Sequence, residues 1–260
     1  MFAAVGDRVR ATAAGLLRLE IEGPFGPGLP VEDNLVLRAA RTLRAARGVS
    51  AGATITLHKA LPPASGVGGG SADAAAAIRV LARLWGVAAL TAAEALPLGA
   101  DVPVCLAGEP MRMRGVGERL DPVPDLPPFA LILANPGRPV GTGAVFAALA
   151  GRAGEPMGPM PRALSYETFV AWLSGRTNHL AGPAASVEPA IERVLARLRA
   201  LPGVDLARLS GSGATAFGLC RDVGAARSAA AALRAAEPDW WVAPAAVAGD
   251  TAAPVGARRP

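Results

Sequence analysis

Polar and apolar residues alternate over Leu17–Glu22: Leu17, Leu19 and Ile21 face one way, and Arg18, Glu20 and Glu22 the other. That period of two predicts a half-buried strand. Gly23–Pro30 is crowded with Gly and Pro and predicts a loop. Asp33 or Asn34 can cap a helix from about Leu35 to Arg47, which Gly48 would stop. Alternation returns over Ala53–His58, where Ile55 and Leu57 oppose Thr54, Thr56 and His58. An alanine-rich helix follows, from about Ser71 to Trp85, with Ile78, Leu81 and Trp85 as its core stripe and Arg79 and Arg83 on a more polar side. A weaker helix covers about Thr91–Leu98 behind a Thr cap. Pro122–Pro128 is rich in proline and suits a domain boundary, and Phe129–Ala134 predicts a short, fully apolar strand. Gly151–Pro161 predicts a second Gly/Pro loop. The last third predicts a helix near Glu188–Leu201, strands near Leu206–Leu209 and Thr215–Cys220, a helix near Gly224–Ala236 and a strand near Trp240–Val247. Helices packed on mixed sheets, an α+β arrangement, fit this order.

Composition narrows the function classes. The chain has 260 residues, 52% hydrophobic and 18% charged, so it is globular and long enough to bury a core without staples. Cys105 and Cys220 form no CxxC or Cys/His cluster; they read as buried core, and no metal ligand is assigned. With no apolar run of about 18 residues and no signal segment, a cytoplasmic setting without a membrane partner is expected. The net charge of +5 raises the question of nucleic acid, but Lys59 is the only lysine, the arginines are scattered and aromatic residues make up only 4%. Neither a basic stripe nor stacking platforms follow from that, and nucleic acid is not an expected partner. The oligomeric state is not legible.

The strongest chemical signal is the stretch from Lys59 to Asp73. Gly66, Gly68, Gly69 and Gly70 have no Cβ, so backbone N–H groups can approach a ligand closely. The helix behind them aims its unpaired amides and positive dipole end at the same bend, which makes an anion cradle suited to nucleotide phosphates. Ser71 could cap that helix or reach a phosphate or its Mg²⁺, and the helix start would stabilise Asp73. No lysine follows the glycines as in a Walker A loop, and the spacing is not that of a dinucleotide fold.

Three segments in order resemble the GHMP kinases. They are Pro62–Ala72, the segment Leu98-Gly-Ala-Asp-Val-Pro-Val104 and the segment Leu209-Ser-Gly-Ser-Gly-Ala214. Asp33–Ala39, Gly115–Glu118 before Leu120, and Asn178-His-Leu180 extend the resemblance over essentially the whole chain. Within the superfamily the wording is closest to the members that phosphorylate a cytidine-diphosphate-linked methylerythritol in the non-mevalonate isoprenoid route. The fold so implied has two lobes. Residues 1–124 would form an N-terminal ATP-binding domain (ribosomal protein S5 domain 2-like), and residues 125–260 a C-terminal ferredoxin-like α/β plait.

The resemblance implies ATP as phosphoryl donor, with Mg²⁺. It implies ATP binding by Pro62, Pro63, Ala64, Ser65, Gly66, Val67, Gly68, Gly69, Gly70, Ser71 and Ala72. Asp101 matches the catalytic aspartate, which accepts or orients the proton of the attacking hydroxyl. Gly211, Ser212 and Gly213 would line the substrate site, and Phe146 falls where the family sets an aromatic ring against cytosine. His58 and His179 read as structural. Lys59 either approaches phosphate or sits in a salt bridge. The resemblance further implies about 30 preceding residues, of ordinary element lengths, with a catalytic-site lysine, an asparagine and a Tyr-His pair. Without them Asp7–Glu22 would have an unpaired edge. Two alternatives stay open: another GHMP small-molecule kinase, and a non-catalytic nucleotide-binding remnant.

Overall fold

The computed structural model describes residues 1–149, 151, 157–162 and 164–248. The strands in chain order are β1 (Phe2–Ala3), β2 (Arg8–Ala14), β3 (Leu17–Glu22), β4 (Gly52–His58), β5 (Met111–Arg114), β6 (Arg119–Pro122), β7 (Ala130–Asn135), β8 (Leu206–Leu209), β9 (Ala216–Cys220) and β10 (Trp241–Ala248). The helices are α1 (Leu35–Ala46), α2 (Gly69–Trp85), α3 (Ala92–Ala95, continued by a 3₁₀ turn over Leu96–Leu98), α4 (Val102–Ala107), α5 (Thr142–Ala147), α6 (Tyr166–Ser174), α7 (Ala181–Val187), α8 (Ala190–Arg199) and α9 (Val223–Ala236). They form two compact units. One comprises Gly6–Pro122 with Pro139–Thr142; the other comprises Met1–Val5, Val123–Arg138 and Gly143–Pro260.

In the first unit the sheet order is β2-β4-β3, with β2 antiparallel and β3 parallel to β4. The alternation read from sequence is the burial pattern: Ala53, Ile55 and Leu57 are buried, while Thr54, Thr56 and His58 are partly exposed. Asn34 caps α1, its side chain accepting from the Val36 amide at 3.0 Å. Val36, Leu37, Ala40 and Leu43 of α1 then close the core with Ile78 and Leu81 of α2. The many alanines of α2 let it lie close beside α1, since Ala74, Ala75 and Ala77 bury their methyl groups completely at no side-chain entropy cost. Both outer strands, β2 and β3, are hydrogen-bonded on one side only among the described residues.

β2 and β3 are consecutive in sequence, yet β4 runs between them. Its first residue, Gly52, passes so close under the β2–β3 bend that a Cβ there would lie 2.5 Å from the Leu16 carbonyl carbon. The neighbouring atoms are backbone and cannot give way. Gly52→Ala is therefore expected to destabilise the protein by about 1–3 kcal/mol, the usual cost of overpacking, read from the urea midpoint.

The second unit has a five-stranded sheet in the order β1-β10-β7-β9-β8, with every neighbouring pair antiparallel. From β7 to β10 the chain order β-α-β-β-α-β, through α8 and α9, is that of the expected plait. β7 is buried at all six positions because it is covered on both faces, which is why it reads as an unbroken apolar run. α8 packs on β8 and β9, and α9 on β10 and β7. Of the expected loop Gly151–Pro161, Gly151 and residues 157–161 lie outside helix and strand; the remainder falls outside the described residues. No helix of the described residues is long and apolar enough to cross a membrane.

Candidate active site

The glycine bend leaves β4 after His58 and ends in α2. Three of its residues have positive φ: Ala64 at 48°, Gly66 at 76° and Gly68 at 71°. At Gly66 and Gly68 only glycine adopts that conformation without strain. Gly68 is the N-cap of α2, and no side chain caps the helix. Here the structure corrects two expectations. The helix begins at Gly69, so Ser71 is its third residue and caps nothing. Asp73 is consequently carried into the second turn and turned inward, where it is 5% exposed, rather than resting on the helix terminus. The first amides of a 17-residue helix thus open onto the bend without a capping side chain. The returning segment Pro139–Thr142 braces the bend from outside, the buried Val140 donating its amide to the Ala64 carbonyl at 3.5 Å.

Asp101 reaches the same bend. Its Oδ2 lies 3.8 Å from where a Cβ on Gly68 would stand. It occupies the N-cap position of α4, yet its side chain makes no capping hydrogen bond, and the residue is exposed. The carboxylate is therefore not consumed in holding its own helix. Behind it, Val102, Pro103, Val104 and Cys105 anchor α4 in the core. The hairpin β5–β6 supports the same segment. Gly117, with φ 105°, packs so tightly that a Cβ would come 2.2 Å from the Ala100 carbonyl oxygen, one residue before Asp101. Glu118 folds back over the turn and accepts from the Val116 amide at 2.7 Å. The sequence contained Gly115-Val-Gly-Glu118 as a resemblance without a role; its geometric task is this buttress.

Beneath the bend lies a buried ion cluster. Asp7 accepts the amides of Ala60 and Leu61 at 2.6 and 2.8 Å and pairs with the Lys59 ammonium, which also donates to Asp73 at 2.9 Å. Of the two roles open to Lys59, the structure shows the salt bridge. Burial pushes the Asp73 carboxyl up to about 6; the attraction of Lys59 works against that shift and the nearby Asp7 adds to it. In the sequence the signal for this cluster is the single lysine next to the bend; nothing there marks Asp7 and Asp73 as its partners.

The substrate-site candidates fall in the second unit. Gly211, Ser212 and Gly213 form the turn joining β8 and β9, with positive φ at Gly211 and Gly213 and a Ser210 amide to Thr215 carbonyl bond of 2.9 Å. Asn178 holds this turn by donating to the carbonyls of Leu209 and Gly211 at 3.1 and 2.8 Å, which accounts for the Asn178-His-Leu180 segment. Phe146, in α5, is 56% exposed and so does not belong to the core. His58 pairs with Glu22 at 3.3 Å, and His179 lies 3.4 Å from the Thr177 hydroxyl. Cys105 and Cys220 are buried free thiols, and burial pushes both up to about 11. Among the described residues no group of three or more His, Cys, Asp or Glu could hold a metal ion.

Sequence profiles of the GHMP kinases N terminal domain and the GHMP kinases C terminal match residues 34–110 and 166–239. The chain is 54% identical over 252 residues to a 4-diphosphocytidyl-2-C-methyl-D-erythritol kinase of Cereibacter sphaeroides, covering 96% of this chain and 89% of that protein. It is 50% identical to one of Paramagnetospirillum magneticum, over 94% of this chain and 87% of the other. A crystal structure of 4-(cytidine 5'-diphospho)-2C-methyl-D-erythritol kinase matches with a TM-score of 0.72 at 36% identity, covering 95% of this chain and 88% of that one. A homoserine kinase from Cytophaga hutchinsonii matches with a TM-score of 0.65 at 18% identity over 93% and 86% of the two chains, a likeness of fold alone.

Proposed function

The chain belongs to the 4-diphosphocytidyl-2-C-methyl-D-erythritol kinases of the GHMP kinase family, and we propose that it performs their reaction at the glycine bend beside Asp101. It is a kinase that transfers a phosphoryl group from ATP to a hydroxyl of 4-diphosphocytidyl-2-C-methyl-D-erythritol, in non-mevalonate isoprenoid precursor biosynthesis. One observation carries the site assignment. A carboxylate that caps nothing stands 3.8 Å from the Gly68 Cβ position, at the uncapped start of a long helix.

In this reading the residues from Pro62 to Ala72 hold the triphosphate, with the amides at the start of α2 directed at its oxygens. Asp101 accepts or orients the proton of the attacking hydroxyl. The hydroxyl oxygen then bonds to the γ-phosphorus, the bond to the β–γ bridging oxygen breaks, and ADP leaves. Charge growing on that oxygen is met by fixed N–H dipoles that need no rearrangement. Mg²⁺ would find a hard oxygen donor in the Ser71 hydroxyl, in the first turn of α2. When bound it neutralises phosphate charge. For the second unit by itself, the reading assigns exposed Phe146 to the cytosine ring and the turn Gly211-Ser212-Gly213 to substrate binding. Two buried free thiols suit a reducing, cytoplasmic setting.

Phe146→Ala is expected to raise KM for the cytidine-linked substrate by about 10-fold, within the ~1–3 kcal/mol that base stacking supplies, with KM for ATP unchanged. The overall assignment is tested by presenting the protein and ATP with the cytidine-linked substrate, homoserine, mevalonate and galactose, and following ADP release. Turnover of the first alone is expected. Turnover of another, or ATP binding with no transfer to any, would replace it with a different GHMP kinase or a non-catalytic nucleotide binder.

A further inference from the structure

The ion cluster under the glycine bend has no part in the chemistry described above, and its construction is specific. Asp7 precedes β2, Lys59 follows β4, and Asp73 belongs to the second turn of α2. Their side chains are 1%, 6% and 7% exposed, so the ammonium is closed off from a ligand and cannot itself grip a phosphate. What the three groups do is tie the two ends of the bend together. Asp7 takes the amides of Ala60 and Leu61, immediately before Pro62-Pro63 begins the bend. Lys59 spans from that carboxylate to Asp73, on the helix that leaves it. The Nζ atom lies 3.4 Å from the Cβ position of Gly69, directly behind the first residue of α2.

Stability is a weak reason for such a cluster. A buried ion pair replaced by apolar groups of similar volume commonly leaves a protein as stable as before. Fully partnered polar networks instead fix one geometry among several. We propose that Lys59, clamped between Asp7 and Asp73, is a positioning residue of the kinase: it sets the distance between the chain entering the glycine bend and the helix leaving it, so that the first amides of α2 are aligned before nucleotide binds. This rests on the bend being the ATP site.

The test compares Asp73→Asn, Asp73→Ala and the double variant Lys59→Met/Asp73→Leu in steady-state kinetics and thermal melting. Asparagine keeps an acceptor for Lys59 and is expected to leave KM for ATP within about twofold, whereas alanine cuts the tie and raises it by about 10-fold, the loss of one good hydrogen bond's worth of alignment. In Asp73→Ala, kcat and KM for the cytidine-linked substrate stay within about threefold. The double variant fills the cluster with apolar side chains and leaves Asp7 on its two amides. The Asp7 carboxylate then stays buried without its counter-ion, so this variant is expected to melt lower than the parent while remaining folded, and still to show the rise in KM for ATP. A parent-like KM for ATP in Asp73→Ala or in the double variant overturns the proposal, as does an equal rise in both substrates' KM. Gly70→Asp separates the premise from the inference. If it binds ATP as the parent does, the bend is not the ATP site. If it loses ATP while the tie variants keep it, only the positioning role falls.

Discussion

Asp101→Asn is expected to lower kcat by about 10²–10⁴-fold, the range over which a positioned acid or base contributes, while ATP affinity stays within about twofold of the parent. Asparagine matches the carboxylate in size and cannot accept the proton of the attacking hydroxyl. The fold has no stake in the exchange, because the Asp101 side chain is exposed and makes no capping hydrogen bond. Rapid-quench measurement of a single turnover isolates the chemical step from product release. A variant turning over within tenfold of the parent would show that the proton goes elsewhere.

Gly70→Asp attacks the other half of the site. Nothing lies within 4 Å of the Cβ position at Gly70, and the residue is helical, so a side chain can be added without strain. The first turn of α2 holds no acidic residue, and an aspartate there stabilises a helix by about 0.3–1 kcal/mol. The melting temperature should therefore hold or rise. In the proposed binding mode the phosphates lie over these first residues of α2, so the added carboxylate would stand beside them. Two like charges about 4 Å apart near a protein surface repel by about 4 kcal/mol, so ATP affinity should fall at least ~100-fold. Gly70→Ala, which adds bulk without charge, should lose no more than about tenfold on the same scale. Calorimetric titration with ATP distinguishes these outcomes. Undiminished binding by Gly70→Asp would place the triphosphate somewhere else.

Elements with a clean period or sharp punctuation were legible in the sequence. β3 and β4 alternate strictly, α1 lies between Asn34 and Gly48, and β7 is an unbroken apolar run. β1, α4, the β5–β6 hairpin and α5–α7 were not read. Most are four to seven residues long and are held by contacts with distant parts of the chain, which leave little trace in a local pattern. α6 shows the limit from the other side: Ser165 caps it by accepting from Thr168, but its apolar residues lie too evenly around it to mark a face. The sequence pattern predicts a start of α2 two residues beyond the real one, because glycine is a poor helix former. Here Gly69 and Gly70 are helical, and a side chain at Gly69 would stand 3.4 Å from the Lys59 ammonium.

The bend and Asp101 were identifiable from residue type and order, since close backbone approach needs glycine and proton transfer needs a carboxylate. Their supports were not. That Gly117 rests on the Ala100 carbonyl, or that Asp7 reaches across to Lys59 and Asp73, depends on how segments far apart in sequence fold back on one another. Single residues of that kind carry no pattern of their own.

The interleaving of β4 between β2 and β3 also bears on the order of assembly during synthesis. The two outer strands leave the ribosome together, separated by only Gly15 and Leu16, and have no partner in each other. Until Gly52–His58 follows, the nascent chain holds the flanks of a sheet without its centre, and any premature zippering of β2 onto β3 must be undone before β4 can enter. Helix α1, made in the interval from local contacts, can form first and offer the late-arriving strand an apolar surface to dock on.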